Sequence, residues 1–344
     1  MANRANLLKC IEAVLPATNS SGVSLDHQYV TISDNKVRAS DGSIRIESEL
    51  MDPLPGLTCS VHGAQLVSFL KGLNSDDVNL KFDGSNLTAS FGKSRMKFLS
   101  RKPQNTNPII AGEKEITGNI RKLIEGLVTC KGNVVNDVLA GALCGVKIDN
   151  NFVIATNRFR LIRYGIEESN AKCTVPVRFI NAISKYKDIE STRMLCDESS
   201  IIMVSNSDTR VTVQSKLVNG DYPNLDVYFS TDKEDKVSVK FKDDVHGIIS
   251  RHALLVKTND FSNKESTISI NNETCTITTT NTLIGELVDV IELKESLNTK
   301  LSFIINPCLI TDTLIDCWEF SYFIKGKYIM FESVTFKYLI LTRE

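Results

Sequence analysis

The sequence predicts an α+β protein made of three similar domains, each with two helices packed on antiparallel sheets. Three observations indicate this fold class: a hairpin pattern that recurs along the chain, a helix-then-strands order that repeats with it, and a length of 344 residues. The hairpin begins at Ile32, Ile148 and Ile270, at intervals of about 120 residues, which is the commonest domain size. Three copies therefore predict three domains.

Each copy of the hairpin has two short apolar-polar alternating runs around a turn rich in Asn and Asp. The first copy is ISDNKVRASD from Ile32, the second is IDNNFVIATN from Ile148, and a fainter third is INNETCTIT from Ile270. Asn and Asp tolerate the left-handed backbone that tight hairpin turns require. The pattern therefore predicts a strand, a tight turn and a second strand in each domain.

The predicted first domain spans residues 1–112. Its opening helix, 3–14, has apolar residues at helical spacing, and a second helix is predicted over 63–73. A segment rich in Pro, Asn and Gly over 101–112 predicts the linker that follows. The predicted strands of this domain are 29–32, 36–40, 43–50, 58–61, 78–82, 86–91 and 94–100.

The second and third domains, 113–229 and 230–344, repeat this order, and a charged linker is predicted near 229–236. Helices are predicted over 118–131, 176–188, 243–256 and 306–317. Strands are predicted for the hairpin region 145–166 and over 193–218, 266–293, 318–325 and 328–342. The chain thus predicts six helix-plus-sheet units.

Composition excludes several classes of function. Nine cysteines without Cys-x-x-Cys spacing and four scattered histidines indicate reduced thiols in a cytoplasmic protein, with no disulfide framework, no zinc site and no cofactor. No apolar run is long enough to span a membrane. Ser68 and Lys71 form an isolated Ser-x-x-Lys, but no P-loop, dinucleotide fingerprint or other catalytic motif accompanies it, so an enzyme is disfavoured.

Several segments resemble the bacterial DNA polymerase III beta subunit, the sliding clamp, and the resemblance extends over essentially the whole chain. LAGAL from Leu139, ATNRFRL from Ala155 and SKLVNGDYP from Ser215 are similar to family segments in the same order and spacing. One departure is that Asn157-Arg158-Phe159 stands where the family has Asp-Gly-His. The chain is thus identified as a divergent member, with a phage-encoded origin as one alternative.

The resemblance implies a ring of two protomers joined head to tail, with helices lining a hole that encloses duplex DNA. It implies a protein that performs no chemistry and tethers DNA polymerase and other proteins to DNA. The implied partners are double-stranded DNA without sequence preference, a DNA polymerase, a clamp loader and a second copy of the chain. The implied location is the cytoplasm of a bacterium, or of the host if the protein belongs to a phage.

A ring that slides must attract phosphate without fixing one register, so positive charge on the helices is the expected signal. Although the whole chain has a formal net charge of -1, the six predicted helices together are positive, with most of the excess in the second domain. Exposed helix faces are usually charged, so only the resemblance makes this a DNA-facing surface. The candidate DNA-binding residues are Arg4, Lys9, Lys71, Arg121, Lys122, Lys131, Arg178, Lys185, Lys187 and Arg251.

The resemblance also implies an apolar pocket that takes short peptides from partner proteins. For some of these positions ordinary core packing is the alternative interpretation. The candidate pocket residues are Leu139, Thr156, Arg158, Phe159, Arg160, Leu161, Pro223, Val227, Tyr228, Leu339, Ile340, Leu341 and Arg343.

Ring closure implies that an edge strand of the first domain pairs with the third domain of another copy. The segment from Gly92 resembles the family's edge segment, and the facing strand is expected over 278–286, with one acidic residue. The candidate interface residues are Lys93, Arg95, Met96, Phe98, Leu254, Leu255 and Glu286.

A β-rich structural or adhesive protein, such as a phage particle component, is the main alternative function. Strand-rich repeats and Asn-rich turns suit such a protein. Two amphipathic helices in register in each domain favour the clamp. Retention on circular DNA with escape from the same DNA after linearisation would separate the two.

Overall fold

The computed structural model describes residues 2–19, 25–102, 114–186, 191–206, 209–229, 236–242, 245–257, 265–311 and 319–343. Most of both predicted linkers lies outside these ranges. Contacts divide the chain into two compact units: unit 1 is Met1–Glu125 with Glu167–Asn219, and unit 2 is Gly126–Ile166 with Gly220–Glu344. The division into three sequential domains stays a prediction based on the repeats.

Seven α-helices form within the described residues. They are α1 (Arg4–Val14), α2 (Gly63–Lys71), α3 (Ile120–Cys130), α4 (Val177–Ile183), α5 (Asp226–Phe229), α6 (His246–Lys257) and α7 (Pro307–Thr311).

The strands of the described residues are numbered in chain order. They are β1 (Ala2–Asn3), β2 (Tyr29–Ser33), β3 (Lys36–Ser40), β4 (Ile44–Glu49), β5 (Cys59–His62), β6 (Asp77–Phe82), β7 (Asn86–Phe91), β8 (Ser94–Leu99), β9 (Lys114–Glu115), β10 (Gly145–Asp149), β11 (Phe152–Thr156), β12 (Arg160–Gly165), β13 (Lys172–Pro176), β14 (Thr192–Cys196), β15 (Ser200–Asn206), β16 (Arg210–Lys216), β17 (Lys236–Lys240), β18 (Ser266–Asn271), β19 (Thr274–Asn281), β20 (Gly285–Glu292), β21 (Leu301–Ile305), β22 (Glu319–Phe323), β23 (Tyr328–Glu332) and β24 (Phe336–Leu341).

All six predicted helices are present, with some shorter than predicted. The helix predicted over 176–188 ends at Ile183, and the described part of the one predicted over 306–317 is α7. Lys187 and residues 312–317 lie outside the described residues. The short helix α5 was not predicted, because four residues are too few to show a helical period.

The three predicted hairpins are confirmed, and their turns have the expected backbone. Asp34 and Asn35 have φ of 51° and 56°, Asn150 has φ of 51°, and Asn272 has φ of 41°. These turns join β2 to β3, β10 to β11 and β18 to β19. The Asn-rich segments therefore form tight turns because Asn and Asp accept positive φ at low cost.

Unit 1 contains a four-stranded sheet, β1-β6-β7-β8, and an eight-stranded sheet, β5-β2-β3-β4-β16-β15-β14-β9. Helix α1 packs on β4 and on α2, and it buries Leu7, Cys10, Ile11 and Val14. Asn3 caps α1 by accepting a hydrogen bond from the Asn6 amide at 3.1 Å. Leu7 and Ile11 of the predicted apolar stripe thus lie on the buried face of this helix, whereas Leu8 and Leu15 are only partly buried.

Unit 2 contains a run of seven adjacent strands, β10-β11-β12-β24-β23-β22-β17, and a four-stranded sheet, β20-β19-β18-β21. Helix α6 packs on α7 and on β19. The seven-stranded run carries a buried cluster that includes Ile154, Phe323, Tyr328 and Met330. This cluster supports the pocket described below.

In each unit, two strands that are far apart in the sequence pair antiparallel and so join two sets of strands into one sheet. In unit 1, β16 pairs with β4, with Val213 opposite Ile46. In unit 2, β24 pairs with β12, with Tyr338 opposite Ile162. By the hairpin repeat, β4, β12 and β20 are equivalent, because each follows the repeated hairpin as its next strand. Yet β20 is the last strand of its sheet in unit 2, and β8 is the last strand of its sheet in unit 1.

Candidate functional site

An apolar cavity of about 260 Å³ opens on unit 2. The ends of β11 and β12, strand β24 and the segment from Pro223 to Tyr228 supply its walls. Eleven residues line it: Leu143, Thr156, Arg158, Phe159, Arg160, Leu161, Pro223, Leu225, Tyr228, Leu339 and Leu341. Apolar walls with few polar groups are typical of sites that bind one or two large side chains.

The turn between β11 and β12 is fixed by two side chains. Asn157 Oδ1 accepts hydrogen bonds from the amides of Phe159 at 3.1 Å and Arg160 at 3.0 Å. Thr156 Oγ1 donates to the Arg160 carbonyl at 2.7 Å and accepts from the Arg158 amide at 3.2 Å. Arg158 lies in the left-handed region, with φ of 78°. The turn therefore holds Arg158 and Phe159 at the mouth of the cavity.

The floor of the cavity is part of the core of unit 2. Leu161 and Leu339 are 4% and 2% exposed, and Leu225 packs on the same buried cluster. Arg160 is also buried; its Nη2 donates to the Gly132 carbonyl at 2.5 Å. The floor is thus rigid, since these side chains are held by the packing of the sheet.

The rim is built from exposed apolar side chains. Phe159 is 66% exposed, while Tyr228 and Leu341 are each 40% exposed. These three side chains add little to the buried core. Their exposure beside a preformed cavity is what a peptide-binding rim requires.

The lining includes nine of the thirteen residues that the resemblance assigned to a pocket. The other four lie elsewhere: Leu139 is 92% exposed and Val227 66% exposed, Ile340 is fully buried, and Arg343 pairs with Glu265. Ile340 faces the core because neighbours on a strand point to opposite faces and Leu341 points to the cavity. The sequence analysis missed Leu143, which is the last residue of the matched LAGAL segment, and Leu225, which lies two residues after the matched SKLVNGDYP segment.

Several candidate DNA-binding cations contact acceptors within the chain. Lys71 lies 2.7 Å from Glu12, and Lys122 lies 3.2 Å from Glu167. Arg4 Nε donates to the Ser75 carbonyl at 2.5 Å. Such surface pairs are weak and leave a lysine available to phosphate, whereas Arg4 is tied to the backbone.

Arg121 and Lys185 are the clearest exposed cations of the predicted set. Arg121 lies on α3 and Lys185 follows α4, and the structure gives neither side chain an ion-pair partner among the described residues. Lys9 and Lys131 have contacts within the chain. The predicted charge on the helices is thus partly neutralised in this fold.

Arg178, a further candidate, has a structural partner. Its guanidinium pairs with Asp41, whose side chain is 2% exposed, and donates to the Thr18 carbonyl at 3.2 Å. Burial raises the pKa of Asp41, but hydrogen bonds from Ile44 and Ser43, aided by the Arg178 charge, outweigh it and hold that pKa below its ordinary value. This pair joins α4 to the β3–β4 turn within unit 1.

Arg178→Ala is expected to destabilise the protein by about 1–3 kcal/mol, because it leaves a buried carboxylate without its cation. A folded-state pKa below the ordinary value means that the Asp41 contribution is present above pH 3.8 and is lost as pH falls through the folded value. Urea unfolding at neutral pH measures the change, with Lys185→Ala as the exposed control. Equal stability of the two variants would contradict a structural role for Arg178.

The comparison with solved structures decides the fold. The chain is similar to the DNA polymerase III beta chain of Streptococcus pneumoniae, with a TM-score of 0.84, 16% identity and coverage of 99% of this chain and 98% of that one. It is also similar to the beta subunit of Thermotoga maritima (TM-score 0.83, 15% identity, 100% and 98% covered) and to the sliding clamp of Bacillus subtilis (0.83, 17%, 100% and 98%).

The chain has the sliding-clamp fold. No protein-family model matches the sequence, and no curated protein matches it. The likeness to these solved structures is therefore one of fold, at sequence identities of 15% to 17%. The α+β class predicted from the repeats is confirmed.

In this clamp fold, the edge strand β8 is basic and only partly apolar. Lys93 precedes it, Arg95 and Lys97 are exposed on it, and Met96 is 36% exposed. Phe98 was predicted at an interface, but it is 3% exposed and packs edge-on against Phe69 at 5.9 Å between ring centroids. Phe98 is therefore a core residue. Met96 lines a shallow groove with Phe69, Ala64, Gln65 and Ser68.

Strand β20, Gly285–Glu292, forms one edge of its sheet in unit 2, and the expectation of an edge over 278–286 is wrong for residues 278–281. Residues 278–281 belong to β19, which is paired on both sides. The true edge carries three carboxylates, Glu286, Asp289 and Glu292. Its charge is thus opposite to that of β8.

Asp289 on this edge contacts helix α6. Its carboxylate lies 3.0 Å from Arg251 and 3.2 Å from Nε2 of the fully buried His252. Nδ1 of His252 lies 2.7 Å from Thr279 Oγ1. Burial lowers the pKa of His252 more than Asp289 raises it. On the same helix Leu254 is 64% exposed and Leu255 is half-buried. Leu254 is therefore accessible, as its predicted place in an interface requires.

Within the described ranges, every helix is too short or too polar to cross a lipid bilayer.

Proposed function

We propose that this protein is a DNA sliding clamp, a processivity factor that encloses duplex DNA and tethers a DNA polymerase. It acts without catalysing a reaction itself, in the cytoplasm where the DNA is replicated. The observation that carries the proposal is the full-length match to the clamp fold, and two sheet edges of opposite charge, β8 and β20, are consistent with it. Its partners are duplex DNA, a DNA polymerase, a clamp loader and a second copy of the chain.

The strand junctions support the ring. Within one chain, β4 pairs with β16 and β12 pairs with β24. Strand β20 corresponds to β4 and β12. In a ring, it would pair with the edge strand β8 of another copy. A head-to-tail contact between these unlike edges generates a closed ring when the rotation per copy is correct. The lysine and arginine of β8 and the carboxylates of β20 are complementary in charge.

The pocket supports tethering. It combines a rigid floor with an exposed apolar rim, and a linear peptide with one or two large apolar residues fits such a site. The polymerase and the clamp loader are proposed to bind there through such peptides.

Topological linkage is the decisive test. A clamp incubated with nicked circular plasmid is expected to co-elute with that DNA in high-salt gel filtration and to be lost after a restriction enzyme linearises it. A structural or adhesive β-protein would bind circular and linear DNA equally, and that result would contradict the proposal.

The helix charge gives a second prediction. Arg121→Glu with Lys185→Glu is expected to weaken binding to a duplex oligonucleotide about tenfold at low salt and to reduce the salt dependence, because two phosphate contacts are lost. Fluorescence anisotropy measures both. The strand control, Lys114→Glu with Arg193→Glu, makes the same charge change on β14 and its neighbour β9 and is expected to retain binding. Equal loss in both variants would show that only net charge matters.

A further inference from the structure

Arg158 occupies a backbone conformation that favours glycine. Its φ of 78° is uncommon for a residue with a side chain, and the hydrogen bonds of Thr156 and Asn157 hold it there. Such local strain concentrates at sites of binding. Because Arg158 rather than glycine occupies this conformation, a long cationic side chain lies on the rim of the cavity.

The charges around the cavity have one sign. Of the eleven lining residues, only Arg158 and Arg160 are charged, and no carboxylate is among them. Arg160 is buried and donates to the Gly132 carbonyl and, at 3.5 Å, to the Tyr338 hydroxyl. Arg158 is exposed, and within the described residues no carboxylate lies within ion-pair distance of it. Its guanidinium is therefore available to a ligand.

We infer that Arg158 makes this pocket select partner peptides in which a carboxylate accompanies large apolar residues. The inference rests on the proposed peptide-tethering function and specifies the chemistry of the partner. An Asp or Glu side chain, or a peptide C-terminus, accepts two parallel hydrogen bonds from a guanidinium, while the apolar residues enter between Phe159, Tyr228 and Leu341. Arg158 is thus a specificity-determining residue, and the apolar rim supplies most of the affinity.

The same geometry disfavours nucleic acid as the occupant of this pocket. A phosphate backbone would gain from Arg158 alone, since the rest of the rim is apolar and the only other cation is buried. A peptide uses both the charge and the apolar surface.

Selection from a randomised heptapeptide library displayed on phage tests the inference. The full-length native protein is expected to enrich peptides with large apolar residues and an excess of Asp or Glu. Arg158→Gly is expected to enrich the same apolar residues without the acidic excess and to raise the thermal unfolding midpoint, because glycine suits the left-handed backbone. For one selected peptide, Asp→Asn is expected to cost about three- to tenfold in affinity for the native protein and at most about twofold for Arg158→Gly.

Two further variants keep the result interpretable. Lys327→Gly removes another cation from a positive-φ position, φ 50°, outside the cavity lining, and is expected to keep the acidic preference. Arg158→Asn also suits the left-handed backbone and replaces Arg158→Gly if that variant fails to fold.

The outcomes separate the inference from the proposed function. An equal acidic excess with native protein and with Arg158→Gly would overturn the role of Arg158. Apolar peptides without acidic excess on the native protein would overturn the inference and retain the pocket. Selection of no peptides at all would overturn both the inference and peptide tethering, while retention on circular DNA would still decide whether the chain forms a clamp.

Discussion

Reversing the charge of β8 is expected to convert the proposed two-copy ring into single chains. Arg95→Glu with Lys97→Glu would place two carboxylates opposite the acidic strand β20 of the next copy. Like charges placed across an interface cost several kcal/mol, so the dimer dissociation constant should rise about 100-fold. Sedimentation velocity over a dilution series measures this shift.

The matched variants decide whether the effect is local. The strand control defined above, Lys114→Glu with Arg193→Glu, carries the same net charge and is expected to dimerise normally. Adding Glu286→Lys to the β8 double variant is expected to restore part of the affinity, since Glu286 is exposed on β20. Normal dimerisation of the β8 variant would mean that β8 does not close the ring.

Loss of the pocket rim is expected to abolish most partner binding without unfolding the protein. Tyr228→Ala and Leu341→Ala should each weaken a peptide selected on the native protein about 30-fold, as truncation of central anchors does. Because each side chain is 40% exposed, the free energy of unfolding should change by less than about 1 kcal/mol. Isothermal titration calorimetry and urea unfolding give the two quantities.

Two controls bracket the pocket variants. Leu339→Ala removes a floor residue that is 2% exposed and is expected to cost about 2–5 kcal/mol of stability. Leu283→Ala removes a residue that is 79% exposed outside the cavity and should affect neither quantity. If Tyr228→Ala lost stability rather than peptide affinity, Tyr228 would be a core residue rather than an anchor.

Local chemistry explains what the sequence could predict. The Asn-rich turns were predictable because Asn150 and Asn272 need only their own backbone preference to adopt positive φ. The helices were predictable from apolar spacing, as the buried Leu7 and Ile11 of α1 show. The pocket residues on β12 followed from the ATNRFRL segment that resembles a family segment, and those on β24 followed from their place in the C-terminal strand that the resemblance implies.

Tertiary features could not be predicted in the same way. The edge strand was predicted too early in the sequence, because the preceding strand β19 has eight residues, whereas its equivalents β3 and β11 each have five. A motif match placed Leu139 in the pocket, but Leu143 lines it instead, after a segment in which Gly141 has a φ of 60°. The pairing of Arg178 with Asp41 joins positions far apart in the chain, and no local pattern indicates it.

In the proposed ring, Asp289 would make the two joints between copies weaker than the joints within each chain. Its equivalents in the two internal junctions are Ile46 and Ile162, both fully buried, since all three lie opposite the same position of the repeated hairpin. The internal joints are also held at high effective concentration by the chain that connects their strands. The proposed joints between copies would have neither advantage, because a carboxylate replaces the isoleucine and only mass action would bring the edges together. In the proposed two-copy ring, the two joints between copies would therefore be the weakest, and DNA would enter at one of them while the joints within each chain stay closed.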